Sequence, residues 1–351
     1  MNQKSSVYWR PEFTYIAAIA IMVAMALHPE WLSTDVIVPS AKISTFKTML
    51  ISIVLETLPF LLLGVAVSSL MHVYIPEAWI RRLIPKNPLL GILTASLLGI
   101  LFPICECGLI PVVRRLMVKG MPLYAGVVFM LAGPVVNPVV YSATYVAFRT
   151  KQEMVDVRIG LAAAVALVIG LIVYCVVKHN PIKNSRESMN AAVTLNVLQT
   201  PSRTNKFNEA MQHAGSEFFD MGKYLIVGSI LAALIQTFIP RSELLTIGQG
   251  EYTSHLFMMS FAYFLSLCST SDAFVASSFL STFSASSLLT FMVFGPMIDM
   301  KGTFMLLSVF KVKFVLLIIA LVAILVPLGS LLIGKAYMVT ISTAQNQNGG
   351  F

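Results

Sequence analysis

The chain has 351 residues, of which 57% are hydrophobic and only 11% charged, with a formal net charge of +8. A soluble domain carries about 25% charged residues, and 24 basic with 16 acidic side chains cannot coat a chain of this size. That excludes a cytosolic enzyme, a disordered chain and a disulfide-stapled secreted domain, and leaves an all-α, polytopic helical membrane protein. The basic excess is assigned to loops beside anionic lipid rather than to nucleic acid, which is not an expected partner.

The first apolar run covers 13–28 and follows Lys4 and Arg10. Ala24-Met25-Ala26 has the form of a signal-peptidase site, but nothing downstream needs export as a soluble domain, so an uncleaved helix is expected. Further runs follow at 46–75, 88–113, 122–148, 157–178, 214–240, 253–283, 286–308 and 312–334. Most are long enough to cross a hydrocarbon core about 30 Å thick. The reading is seven to nine membrane segments in the cell membrane. An extra N-terminal helix region (1–45) precedes a first half (46–178), a polar cytoplasmic linker (179–213), a second half (214–335) and a disordered tail (336–351).

The two halves match each other. Ser52, Leu61, Gly64, Leu70, Ile75 and Pro76 recur as Ser216, Leu225, Gly228, Leu234, Ile239 and Pro240, and Glu56 falls on Asp220. Phe129-Met130-x-x-Gly133-Pro134 recurs as Phe291-Met292-x-x-Gly295-Pro296, with Asn137 falling on Asp299 and Cys105 on Cys268. Matching blocks in one order predict an internal duplication.

The basic residues bear on its sense. If every run crosses, they divide evenly between the two faces, eleven to eleven. If 88–113 and 253–283 are instead re-entrant hairpins, fifteen face the cytoplasm and seven the other side. Each half then has three crossings and one hairpin, and the repeats are inverted. That count places Arg158 at the outer surface, and leaves Lys223 and Lys301 within the membrane.

Chemistry concentrates where helices must break. Pro103-Ile104-Cys105-Glu106-Cys107-Gly108-Leu109-Ile110-Pro111 sets a carboxylate and two thiols between helix breakers. Its counterpart is Cys268-Ser269-Thr270-Ser271-Asp272. The second pair of breaks is Gly133-Pro134-Val135-Val136-Asn137-Pro138 and Gly295-Pro296-Met297-Ile298-Asp299-Met300-Lys301. Broken backbone within a membrane must be buried in protein or line a wet cavity, where its freed amides and carbonyls can bind a ligand. Cys105, Glu106, Cys107, Gly108, Asn137, Cys268, Asp272 and Asp299 are therefore the candidate substrate-binding residues. A proline kink with a capping Asn or Asp is the plainer account of the second pair.

Glu56 and Asp220 are candidates for proton coupling, against the plainer account of interior ion pairs. Glu217, Asp220 and Lys223 recur at a three-residue spacing and are expected to share a helix face. The sulfurs of Cys105, Cys107 and Cys268 would meet between two-fold related halves. There they either take a thiophilic species, such as a trivalent arsenical or Cu(I), or pack as polar lining. Cys-x-Cys without a His cluster is not a structural zinc spacing, and no cofactor or resident metal is expected. No P-loop, dinucleotide turn or nucleophile elbow occurs, so ATP-driven transport by this chain alone is not expected, and the chain is not expected to be an enzyme.

At these residues the chain resembles the ArsP/YraQ-type family of predicted permeases. Pro103-x-Cys105-x-Cys107-Gly108-x-x-Pro111, Arg115-Leu116, Lys119-Gly120 and Pro134-x-x-Asn137-Pro138 carry the first-half likeness. Glu56-x-x-Pro59-Phe60, Cys268-x-Thr270-x-Asp272 and Gly295-Pro296-x-x-Asp299 complete it, over about 46–334. The resemblance implies a multi-pass permease, and for some members export of organic trivalent arsenicals. Glu106 between the cysteines, where many relatives carry a small polar residue, points towards a cationic or protonatable cargo or proton coupling.

The expected function is secondary-active export of a small thiophilic or charged solute by alternating access between the halves. The partners are then that solute or ion and the lipid bilayer, with a homo-oligomer or a second membrane protein left open. Two other classes remain: a membrane-embedded thiol redox protein using Cys105 and Cys107, and a non-transporting membrane subunit of a larger complex.

Overall fold

A computed structural model describes residues 40–74, 88–101, 105–149, 151–177, 181–182, 206–238, 250–280 and 282–348. The apolar run at 13–28, most of the 179–213 linker, and Pro103 with Ile104 lie outside the described residues. The described chain is helical in the same order twice.

The first series is α1 (Ser40–Tyr74), α2 (Pro88–Leu101), α3 (Glu106–Val118), α4 (Leu123–Ala132), α5 (Pro138–Ala147) and α6 (Glu153–Val176). The second is α7 (Lys206–Phe238), α8 (Glu251–Leu265), α9 (Ser271–Ser278), α10 (Ala285–Met297), α11 (Met300–Val309) and α12 (Val312–Asn348). Four apolar runs of the sequence, 88–113, 122–148, 253–283 and 286–308, thus each divide into two shorter helices. The stretch after 335, expected to be disordered, continues α12 as helix to Asn348. Its Ala and Gln residues are tolerant of helix, and no proline interrupts it.

Among the described residues, five segments are long and apolar enough to span a membrane: Lys42–Met71, Glu153–Val176, Ala214–Thr237, Ala285–Val309 and Val312–Ala336. Leu55, Leu62 and Leu63 on α1, Leu171 on α6, and Leu316 and Leu332 on α12 are exposed, as a lipid-facing surface requires.

Contacts fix the direction of each helix. Ile92 of α2 and Val128 of α4 both lie against Gly170 of α6, and Gly99 of α2 lies against Gly133 just past α4. So α2 and α4 run the same way. Helix α3 returns along α4, with Leu109 near its start at Gly133 and Met117 near its end at Gly126. Tyr124 meets Tyr174 with ring centroids 5.3 Å apart, which sets α6 antiparallel to α4. The chain therefore enters on α2, turns back on α3, and enters again on α4. It goes on along α5 and returns the full depth on α6.

The second series behaves alike from the opposite end. Stacked Phe257–Phe283 and edge-on Phe261–Phe279 show that the chain after α8 doubles back along it. His255 against Ser286 and Ala262 against Gly295 set α10 parallel to α8. Helix α12 then returns past Leu161 of α6 at Gly329 and past Ser286 at Gly334. Ser68 with Glu217, and Ile53 with Ala232 and Ala233, set α1 and α7 antiparallel. Ile182 bridges Phe310, and the Lys311 N–H donates to the Pro181 carbonyl at 3.0 Å, tying the end beyond α6 to the α11–α12 turn.

By this routing α3, α5, α9 and α11 all begin at mid-depth and point their N-termini inward. Prolines and glycines cause two of the interruptions, at Gly133-Pro134 and after Gly295-Pro296. After α8 the break needs neither: Ser266 takes a left-handed backbone with φ 49° and ends the helix.

Candidate functional site

The four inward N-termini each leave backbone N–H groups that need acceptors, and the sequence supplies an acid or amide at every one. Asn137 accepts the Val140 N–H at 2.8 Å and starts α5, while its own amide donates to the Gly133 carbonyl at 3.4 Å. Asp299 does the same for α11, accepting the Gly302 N–H at 2.7 Å. Glu106 and Asp272 sit in the first turns of α3 and α9. Helix capping therefore accounts for Asn137 and Asp299 at matched positions inside apolar runs.

Two buried cations answer these acids. Lys301, in the first turn of α11, is fully buried and donates to the Ser266 carbonyl at 2.8 Å. The left-handed turn at Ser266 presents that carbonyl to it. Its Nζ lies 3.4 Å from Glu106 Oε1 and 3.8 Å from Asp299 Oδ2. The second oxygen of Glu106 and Oδ2 of Asp299 are buried without a hydrogen-bond partner. Cys107 is buried beside them, its thiol donating to Glu106 Oε1 at 3.8 Å.

Arg158 of α6 is the second cation. One guanidinium nitrogen reaches both oxygens of Asp272, at 2.9 and 2.8 Å, and the Ser269 carbonyl at 3.0 Å. The other terminal nitrogen donates to Thr144 of α5 at 2.7 Å. The sequence reading placed Arg158 at the outer surface, and the structure overturns that. It is fully buried, because a desolvated arginine needs a carboxylate and carbonyls, and the α8–α9 break provides them. The signal was a charged residue just inside an apolar run, which in a membrane protein points inward.

The thiols of Cys105, Cys107 and Cys268 are free, buried and neighbours of one another. The Thr270 hydroxyl donates to Cys268 at 3.8 Å. No group of three His, Cys, Asp or Glu side chains among the described residues is arranged as a metal-binding set. Gly108 has a packing role: a Cβ on Gly64 of α1 would fall on the Gly108 backbone, so the two helices touch main chain to main chain. Gly228 of α7 admits the backbone of Lys301 in the same manner.

The two candidate proton carriers part company. Glu56 of α1 is half-buried and accepts from the Ser271 hydroxyl at 3.0 Å, which attaches it to the cluster. Asp220 is exposed and pairs with Lys223 at 3.3 Å, away from the break residues. Glu217, expected on the same face as Asp220, is instead buried. It accepts from Ser68 of α1 at 2.9 Å and lies 3.4 Å from Arg115 of α3. The structure thus joins Cys105, Glu106, Cys107, Cys268, Asp272 and Asp299, with Glu56 at the margin. It adds Arg158 and Ser266, which the sequence had not singled out, and it draws in Lys301, the last residue of the second break, as a partner of the acids. Asn137 caps its helix, and Asp220 stays outside.

Residues 42–335 match the model of a family described as "Predicted permease" of the ArsP type. The chain is 46% identical over 287 residues to "UPF0718 protein YcgR" of Bacillus subtilis, covering 82% of this chain and 96% of that one. It is 35% identical over 284 residues to a Streptococcus mutans protein named "Putative two-component membrane permease complex subunit", covering 81% and 93%. No solved structure matches the chain. Buried ion pairs at broken apolar helices and a family match across nearly all of the described chain agree: this multi-pass membrane protein belongs to the ArsP-type family of predicted permeases.

Proposed function

We propose that the protein is a secondary-active permease of the cell membrane whose substrate cavity lies between its two halves. The lining is 105–108 and 134–138 from the first half, and 268–272 and 296–299 from the second. The carrying observation is the Glu106–Lys301 contact at 3.4 Å, which joins a helix start of one half to a helix start of the other at mid-depth. Broken helices whose N-termini and charged side chains meet at the midplane are the architecture by which transporters hold a solute.

In this reading α2–α3 and α8–α9 are re-entrant hairpins entering from opposite faces. Helices α4–α5 and α10–α11 cross as broken spans, and α1, α6, α7 and α12 as continuous ones. Each half then crosses three times, which makes the halves inverted, and the α3–α4 turn and the linker are cytoplasmic. The halves rock about the central charges to expose the cavity to either side in turn. The cargo is a small charged solute, exported; the excess of carboxylates favours a cationic one, and the three thiols add a soft surface for a thiophilic one.

Flux through vesicles containing the full chain tests this, across a panel of organic cations, metals and arsenicals with and without a pH gradient. Flux that E106Q abolishes is the expected result. No flux of any panel member, from the chain alone or with a second component, removes the permease reading. That second component has its own support: the Streptococcus mutans relative is named as one subunit of a two-component membrane permease complex. A complex of this kind predicts that the chain alone is silent and that a second membrane protein restores flux.

A further inference from the structure

Two carboxylates share one ammonium at the centre of the molecule. Glu106 and Asp299 flank Lys301 at 3.4 and 3.8 Å, and the three side chains are 9%, 1% and 0% exposed. Lys301 makes its shortest bond to neither acid but to the Ser266 carbonyl, at 2.8 Å. One oxygen of each acid, Glu106 Oε2 and Asp299 Oδ2, is buried with no hydrogen-bond partner.

The neighbouring charges do not remove this excess. Asp272 is satisfied by Arg158 of α6. Glu56 of α1, reached through Ser271, adds a further carboxylate at the margin. From α3 and the α8–α9 break the other facing groups are Cys105, Cys107, Cys268 and the Ser266 hydroxyl. Helix α7 presents Gly228 to Lys301, and thus no charge at all.

We propose that Glu106, Asp299 and Lys301 form a binding site for one exchangeable proton, held between the two halves, and that this proton is the coupling ion of the permease. The reaction is the simplest available: a carboxylate takes a proton from water on one side, becomes a carboxylic acid, and returns it on the other. Occupied, the triad is neutral, with one acid, one carboxylate and one ammonium. The added O–H gives an unpartnered oxygen a donor with which to reach its neighbour. Empty, the remaining negative charge lies at the N-termini of α3 and α11, where helix dipoles stabilise it. Both states are therefore supported by the same fold, which an exchangeable site needs.

The proton site itself stands on geometry. Only its coupling role rests on the permease reading, and the test separates the two because it needs no flux. The full chain in lipid nanodiscs is titrated from acid to alkaline pH while difference infrared spectroscopy follows the C=O stretch of protonated carboxyl groups. The expected result is a band that disappears as pH rises in the wild type and is missing from E106Q/D299N. Asp299→Asn preserves the fold, since Asn137 caps α5 with the geometry that Asp299 uses on α11. A titrating band that survives in E106Q/D299N, or a wild type without one, overturns the proposal. A band that behaves as expected in a protein that shows no flux upholds the site and rejects the permease reading alone.

Discussion

Arg158 and Asp272 form a fully buried ion pair across the two halves, 2.8 Å apart, with α6 supplying the cation and the start of α9 the acid. Removing one member leaves an uncompensated buried charge, a loss of about 3–5 kcal/mol. Asp272→Ala and Arg158→Ala should each lower the thermal unfolding temperature of the purified protein sharply. The double substitution to a matched apolar pair, R158M/D272L, should be less damaging than either single change. If the single variants unfold like the wild type, the pair does not hold the halves together.

Gly64 and Gly108 form a second joint, between α1 and α3, where no side chain fits. Gly64→Ala places a methyl group against main chain that cannot move as a side-chain tip would. The expected cost is about 1–3 kcal/mol of overpacking. Gly160→Ala makes a control, because a Cβ there meets nothing within 4 Å. Folding yield and monodispersity in mild detergent should fall for the first and hold for the second. Equal behaviour of the two would mean that α1 can move off α3 at no cost.

Helix breaks were largely legible in the sequence because their cause is local. Gly133-Pro134 before Asn137, and Gly295-Pro296 before Asp299, spell out a stop and a restart, and the helices end and begin there. The break at Ser266 was placed by its polar run alone, since nothing in the letters demands a left-handed serine. Long-range partnership was not legible. Arg158 lies 114 positions from Asp272 and Lys301 lies 195 from Glu106, so no window of sequence contains either pair. The spacing of Glu217, Asp220 and Lys223 put them on one face, but the helix is only partly covered. Ser68 and Arg115 bury the first, while the other two stay exposed. Counting charges could not distinguish an arginine at the membrane surface from one buried beside it.

Asp299 has two tasks, which substitutions can separate. Its Oδ1 caps α11, and its Oδ2 faces Lys301. Asp299→Ala removes both and should cost about 1 kcal/mol for the cap alone, with a further loss for the unbalanced lysine. Asp299→Asn keeps the cap and loses only the charge, so it should be the more stable of the two in thermal unfolding. Were Ala and Asn equally destabilising, the cap at α11 would contribute nothing.

The routing of the chain makes a prediction about sidedness that needs no knowledge of the cargo. Val118 ends α3 and is exposed, and Lys311 lies in the turn between α11 and α12, tied to Pro181. Both lie at the end of the molecule where α6 finishes. Gln152 precedes α6 and is exposed at the other end, near Ser286 and Gly334. Single cysteines at 118 and 311 should therefore be modified by an impermeant maleimide from one face of the membrane, and a cysteine at 152 from the other. The positive-inside rule makes the first face cytoplasmic, so only position 152 should label in intact cells. Labels at 118 and 311 from opposite faces would break the hairpin at α2–α3 and the inverted relation of the halves with it.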